Sequence, residues 1–377
     1  MKKMKKFYLF LVFSLFLTIF SCREDYDYIN YGPTNTGVQE PEDIGIQGLY
    51  VLNEGNMGSN KASIDFFDYS TGVFTENYYN AQNPNVVGSL GDVGNDISIY
   101  RDKLYAVINL SNYVEVMDAK TAKHIGEISV QNCRYISFHK DYAYITSYGG
   151  AVGSSQPGYV LKVDVNTLQT VGKVFVGKQP NQMEVVGNRL YVTNSGAYSA
   201  PDYDNTVSVI DLNTFTEIKK IPVAVNLSKI KKDDTGKLWI TSGGNYGSIP
   251  PKTYVLDPAT DQVIKEINMA LSDFDMVENR LYYFSYVWTS AGTATSYGIL
   301  DTDSYQVISN SFITDGTQTG IVIPYSIAVN PANSDIFIGD AKDYTSSGEL
   351  FCYNKFGKLK WKVKTGDIPG HLTFLHK

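Results

Sequence analysis

From residue 48 onward, apolar and polar positions recur in one order. An apolar stretch centred on an aromatic is followed by a polar loop, an apolar stretch ending in Asp, a tight turn and a third apolar stretch. The first stretch reads GLYVL from Gly48, KLYAV from Lys103, YAYIT from Tyr142, RLYVT from Arg189, KLWIT from Lys237, RLYYF from Arg280 and DIFIG from Asp335. Its aromatics, Tyr50, Tyr105, Tyr144, Tyr191, Trp239, Tyr282 and Phe337, lie about 48 residues apart, a period that marks propellers or solenoids. The second stretch closes on Asp68, Asp118, Asp164, Asp211, Asp257 and Asp301, with Asn354 in the seventh copy, each before a polar turn. A short carboxylate or amide there bonds the backbone two residues on. From the second copy onward, a further apolar stretch precedes the aromatic, as at Ile97–Tyr100 and Met183–Val186.

Four short stretches per unit without helical periodicity predict an all-β fold, a seven-bladed β-propeller of four-stranded blades over 48–377. The first unit lacks an inner strand, because nothing strand-like precedes Gly48. The chain ends in a lone apolar strand, GHLTFLHK from Gly370. That C-terminal strand is expected to join the first blade, closing the ring and removing its open edge. The repeat resembles the YncE-like seven-bladed propellers, most closely over 189–223. The resemblance speaks for the fold, because propellers host many functions.

The N-terminus reads differently. MKKMKK is a basic leader and residues 7–20 are unbroken apolar, shorter than the roughly 20 residues that span a bilayer. The expectation is a lipoprotein signal peptide at 1–21, with Cys22 after Ser21 as the lipidated residue. Residues 22–47 begin acidic and continue polar with Gly and Pro, which predicts a flexible tether that cannot bury enough surface to order itself. An acidic cluster behind a lipidated Cys resembles the surface-export signal of Bacteroidetes-type lipoproteins. That resemblance implies a lipid-anchored outer-membrane protein at the cell surface.

Composition narrows the function. The net charge is −7 without a basic stripe, which argues against nucleic acid as a partner. Three cysteines exclude a disulfide-stapled scaffold, and Cys133 and Cys352 fall in different blades as buried free thiols. Four scattered histidines argue against a His-built metal centre, so no metal and no cofactor are expected. No Ser-His-Asp or Cys-His arrangement stands out, so the chain is not expected to be an enzyme. A lactonase-type hydrolase would need carboxylates converging on the axis; Glu54, Asp96, Asp273 and Asp340 are the candidates, without a shared motif.

Loop lengths point to one working face. Connections after the second and fourth strands are long, including 53–62, 147–158, 194–205, 242–252, 285–296 and 78–96, whereas those on the other face are short. Long loops gathered on one face of a rigid scaffold mark function. They carry Tyr79, Tyr148, Tyr198, Tyr203, Tyr246 and Trp288 among Asn, Ser and Gly, a binding-surface composition. The residues opening the inner strands, Asn95, Arg134, Tyr135, Asn181, Gln182, Ser228, Asp273, Tyr325 and His371, are expected to line the funnel. These fifteen form the candidate ligand site.

A surface lipoprotein with an acidic tether, a YncE-like body and aromatic-amide loops resembles the BtuG family. The resemblance implies capture of corrinoids, vitamin B12 and its analogues, and their transfer to a TonB-dependent outer-membrane transporter of the BtuB type. Corrinoids are wide, flat and fringed with amides, which suits a wide ring of loops. The alternatives are a surface glycan- or protein-binding propeller and the hydrolase above.

Overall fold

The computed structural model describes residues 33–86, 89–150, 156–289 and 292–377, without the side chains of 288 and 289. The expected signal peptide and Cys22 lie outside these residues. Seven antiparallel sheets form the seven blades, and the last strand, Pro369–His376, pairs with Ile46–Asn53 of the first sheet. Tyr50 lies opposite Thr373 and Leu49 opposite Phe374. The ring closes as the pattern predicts.

The repeating aromatic is what fastens each blade to the next. All seven are buried, the most exposed being Tyr282 at 4%. The Tyr50 hydroxyl donates to the Ala119 carbonyl at 2.9 Å, and the Tyr191 hydroxyl to Asp261 Oδ1 at 3.0 Å. The others pack ring on ring: Tyr105 on Phe138 at 4.8 Å, Tyr144 on Phe215 at 5.8 Å, Trp239 on Tyr305 at 5.8 Å, Tyr282 on Phe312 at 6.1 Å and Phe337 on Phe374 at 5.8 Å. Every one of these partners lies on the side of the following blade. The core is accordingly divided into clusters that each fill one blade interface; Leu52 and Phe66 of blade 1, for example, meet Ile97 and Leu104 of blade 2.

The repeating Asp turns the chain. Asp118 Oδ1 accepts from the amides of Lys120 and Thr121, and Asp211 Oδ1 from those of Asn213 and Thr214. Asn354 does the same for Phe356. Four residues beyond the Asp the backbone is left-handed, at Gly72, Ala122, Leu168, Phe215, Asp261 and Tyr305. Cys133 and Cys352 are buried and free.

Two expectations need correction. The first concerns the tether: Thr34–Gly37 is a fifth strand of blade 1, paired with Val73–Glu76, and Ile46 already belongs to the second strand. Gly72, at φ 68°, allows this docking, because its carbonyl accepts the Val38 amide at 2.8 Å and a Cβ there would meet the Gln39 carbonyl oxygen at 1.9 Å. The strand TNTG is fully exposed, so main-chain bonding orders it without any apolar signal. The second concerns the expected loop 285–296, of which 285–289 and 292–296 are paired strands. Arg280–Thr289 and Gly292–Asp301 form a hairpin of two ten-residue strands paired in register, where the strands of blade 5 have five or six residues. The run Tyr286-Val287-Trp288-Thr289 has the β-branched and aromatic character that extends a strand.

Candidate functional site

The long loops build an open cleft of about 770 Å³ on the predicted face. It lies off the axis over blades 3 to 6, with Arg134 and Tyr148 from blade 3, Asn181 and Tyr198 from blade 4, Ser228 and Tyr246 from blade 5, and Tyr286 and Val287 from the hairpin of blade 6. Asn226, Ile249, Pro250, Pro251 and Leu271 complete much of the wall.

Each tyrosine is positioned by its loop. Asn245 Oδ1 accepts from the amides of Gly247 at 3.0 Å and Ile249 at 2.8 Å, which closes the blade 5 loop on itself. Tyr246 stands at its tip, left-handed at φ 55° and 82% exposed. The Tyr198 amide donates to Gln179 Oε1 at 2.8 Å, and its ring sits 6.4 Å from that of Tyr148. Tyr148 is buried, its hydroxyl donating to Asn181 Oδ1 at 3.2 Å, and burial pushes its phenol up to about 12. The Arg134 guanidinium lies 4.8 Å from the Tyr148 ring centroid and 5.9 Å from that of Tyr135.

Six of the fifteen expected residues thus meet at the cleft: Arg134, Tyr148, Asn181, Tyr198, Ser228 and Tyr246. The axial residues mostly staple neighbouring blades. Asn95 donates to the Arg134 carbonyl at 2.7 Å, and Gln182 Oε1 accepts the Ile230 amide at 3.2 Å. Asp273 pairs with Lys229 at 2.7 Å and accepts the Ile327 amide at 3.3 Å. His371 Nε2 lies 3.3 Å from Glu54 Oε1, the Tyr325 hydroxyl donates to Glu54 Oε2 at 3.1 Å, and the Tyr135 ring packs edge-on to His371. Burial pushes the Tyr135 phenol up to about 12. Tyr203 is half-buried in the blade 4 loop and outside the cleft lining. The structure does not bring Tyr79 to the mouth. It points from a one-turn helix, Tyr78–Gln82, into the interface of blades 1 and 2, where its hydroxyl donates to Glu115 at 3.1 Å. Trp288 lies on the hairpin, and its side chain is outside the described residues.

The four axial carboxylates do not form one centre. Asp96 accepts the amides of Ile97 and Ile136, and Asp340 those of Val322 and Ile323. Glu54 and Asp273 hold the partners named above. No group of three or more His, Cys, Asp or Glu suited to a metal ion occurs among the described residues. A second concavity of about 340 Å³ follows the inner strands of blades 2 to 5 toward the short-turn face, with Asp96, Tyr135, Glu184 and Lys231 in its wall.

Sequence reasoning left Tyr286, Val287 and the Pro250-Pro251 wall out of the site. Consecutive prolines closing a Tyr-Gly-Ser loop were a usable signal. Tyr286 falls in the 285–296 stretch assigned to the working face, but its place in the cleft wall follows from the length of the hairpin.

The ring of blades, with its one-sided tyrosine cleft, is that of a seven-bladed β-propeller. The chain belongs to the family described as DUF5074, a domain of unknown function, whose match runs over residues 47–364. No curated protein is matched in sequence. Among solved structures, the chain is similar to hydrazine synthase of Kuenenia stuttgartiensis, at 16% identity and TM-score 0.60 over 75% of this chain and 95% of that one. It is also similar to a quinoprotein alcohol dehydrogenase-like protein from Bacteroides thetaiotaomicron, at 14% identity and TM-score 0.59 over 88% and 78%. A third is the computationally designed Ika8 protein, at 12% identity and TM-score 0.53 over 90% and 99%. Identities this low establish a shared fold alone.

Proposed function

We propose that this protein is a surface lipoprotein, anchored through Cys22 in the outer membrane, that binds corrinoids without turnover and passes them to a TonB-dependent transporter of the BtuB type. The observation that carries the reading is the off-axis cleft, whose wall combines the tyrosines at 148, 198, 246 and 286 with amides and hydroxyls and, among the described residues, contains no carboxylate. Aromatic faces suit a flat macrocycle, and adaptable polar groups suit its fringe of amides. A volume near 770 Å³ is in the upper range of small-molecule sites, and its open side leaves part of a larger ligand exposed. The closed ring supports preorganisation, which favours high affinity. The separate commitments of Glu54, Asp96, Asp273 and Asp340 weigh against the hydrolase alternative.

Isothermal titration of the chain from residue 22 onward, with Cys22→Ser, against cyanocobalamin tests the proposal. Tight one-to-one binding is expected. Absence of heat, together with binding of oligosaccharides, would replace it with a glycan-binding role, since tyrosine faces also stack on sugars.

A further inference from the structure

Arg134 is the one charged side chain among the described residues that line the cleft, in a chain of net charge −7. No carboxylate among the described residues comes within ion-pair distance of it, and Glu54 acts on it only at longer range. Its guanidinium forms no ion pair or hydrogen bond among the described residues, and its Nε is buried without a partner. The lysines near the axis are matched, Lys229 to Asp273 at 2.7 Å and Lys231 to Asp275 at 2.9 Å, and Glu54 is hydrogen-bonded by Tyr325 at 3.1 Å and lies 3.3 Å from His371 Nε2. The carboxylates nearby are therefore already committed. A guanidinium without an ion-pair partner beside two tyrosine rings gains something from their faces. Its fork of donors stays unfilled, and a buried unpaired donor costs stability in the free protein.

We infer that Arg134 is an oxyanion-docking site at the inner end of the cleft, receiving a phosphate or carboxylate group of the ligand. A planar guanidinium matches either oxyanion with two parallel hydrogen bonds. The rings of Tyr148 and Tyr135 lie beside the fork, and the cleft presents no carboxylate among the described residues to repel the incoming group. The inference rests on the cleft being the binding site. For a corrinoid ligand, it selects forms that carry the phosphodiester of the nucleotide loop over those without it.

The test has two independent arms. In the first, phenyl phosphate, benzoate and neutral benzamide are titrated onto the chain from residue 22 onward with Cys22→Ser, with saturation-transfer NMR as readout. Arg134→Gln is expected to weaken whichever oxyanion binds better by about 10- to 100-fold, the range of a charge-assisted hydrogen bond, and to leave benzamide unchanged. The tighter of phenyl phosphate and benzoate identifies the group. Thermal melting verifies that the variant is folded, and Arg134→Lys is expected to retain part of the affinity. Equal binding of the oxyanions by wild type and Arg134→Gln, or no binding of either, overturns the inference. In the second arm, Arg134→Gln is expected to weaken cyanocobalamin by a similar factor and cobinamide, which lacks the phosphodiester, by less than about threefold. An equal loss for both overturns it as well. If neither corrinoid binds, the proposed function fails, while the first arm still decides the role of Arg134.

Discussion

The indole Nε1 of Trp361 donates to Gln39 Oε1 at 2.9 Å, across 322 positions of chain. The bond joins the outer strand of blade 7 to the segment of blade 1 between Thr34–Gly37 and Ile46–Asn53. Lys360 reaches Glu42 at 3.5 Å beside it, and the Glu42 amide donates to the Tyr69 carbonyl at 2.8 Å. Blade 1, where the ring is closed by both ends of the domain, therefore carries a clasp on its outer edge.

Gly72 is the position at which this clasp is most vulnerable. Gly72→Ala is expected to expel residues 38–40, because the new Cβ would lie 1.9 Å from the Gln39 carbonyl oxygen in a backbone at φ 68°. The cost should be about 1–3 kcal/mol. Hydrogen exchange would show lost protection at Val38 and Gln39, with blades 3 to 6 unaffected. Unchanged exchange would mean that the segment does not depend on this turn.

Tyr246 separates binding from stability. Its ring is 82% exposed, so Tyr246→Ala should change the unfolding free energy by less than about 0.5 kcal/mol. If the cleft holds ligand, the same variant should weaken cyanocobalamin by about 1 kcal/mol or more, the scale of a lost interfacial aromatic. Titration calorimetry beside thermal melting reads both, and undiminished affinity would remove the tyrosine from the site.

Lys229 and Asp273 form an inner-ring ion pair at 2.7 Å, with side-chain exposures of 17% and 9%. Asp273→Ala leaves a lysine without counter-charge near the axis and should cost about 3–5 kcal/mol. The double variant Lys229→Met with Asp273→Leu should recover most of that loss, since apolar replacement of a buried pair is often neutral. Denaturant melts of the three proteins decide it; a double variant as unstable as Asp273→Ala would assign the loss to the Ile327 hydrogen bond instead.

Asp65 makes stability depend on pH. Burial pushes its carboxyl up to about 6, against the three hydrogen bonds it accepts from Asn53, Asn77 and Gly366. The unfolded value is about 3.9. A carboxyl raised on folding contributes stability that is fully present below the unfolded value and is lost as pH rises through about 6. Asp65→Asn does not titrate. The stability of wild type relative to Asp65→Asn should thus fall by an amount on the order of 2 kcal/mol between pH 4 and pH 7.5. Parallel melting curves at the two pH values would contradict this.

Most of the fold was legible because its cause is local and repeated. The marker aromatics, the turn Asp residues and the lone final strand each state their role within a few residues, and seven repetitions leave little room for another architecture. The tether and the hairpin were misread for opposite reasons. TNTG pairs through its backbone and shows no apolar signature, whereas 285–296 carries strand-like residues inside what its neighbours present as a loop.

The sequence by itself determined the number of blades, the closure by the last strand and the face that bears the long loops, since periodicity and connection length are properties of the chain. Only the tertiary structure decided where on that face the cleft opens, because this depends on which loops fold back and which hairpin projects. It also decided that Asn95, Gln182 and Asp273 would be bonded to neighbouring blades while Arg134 kept its Nε without a partner. Those outcomes depend on distances between inner strands some 40 to 50 residues apart in sequence, and a hydrogen bond or ion pair is won by whichever partner lies within reach.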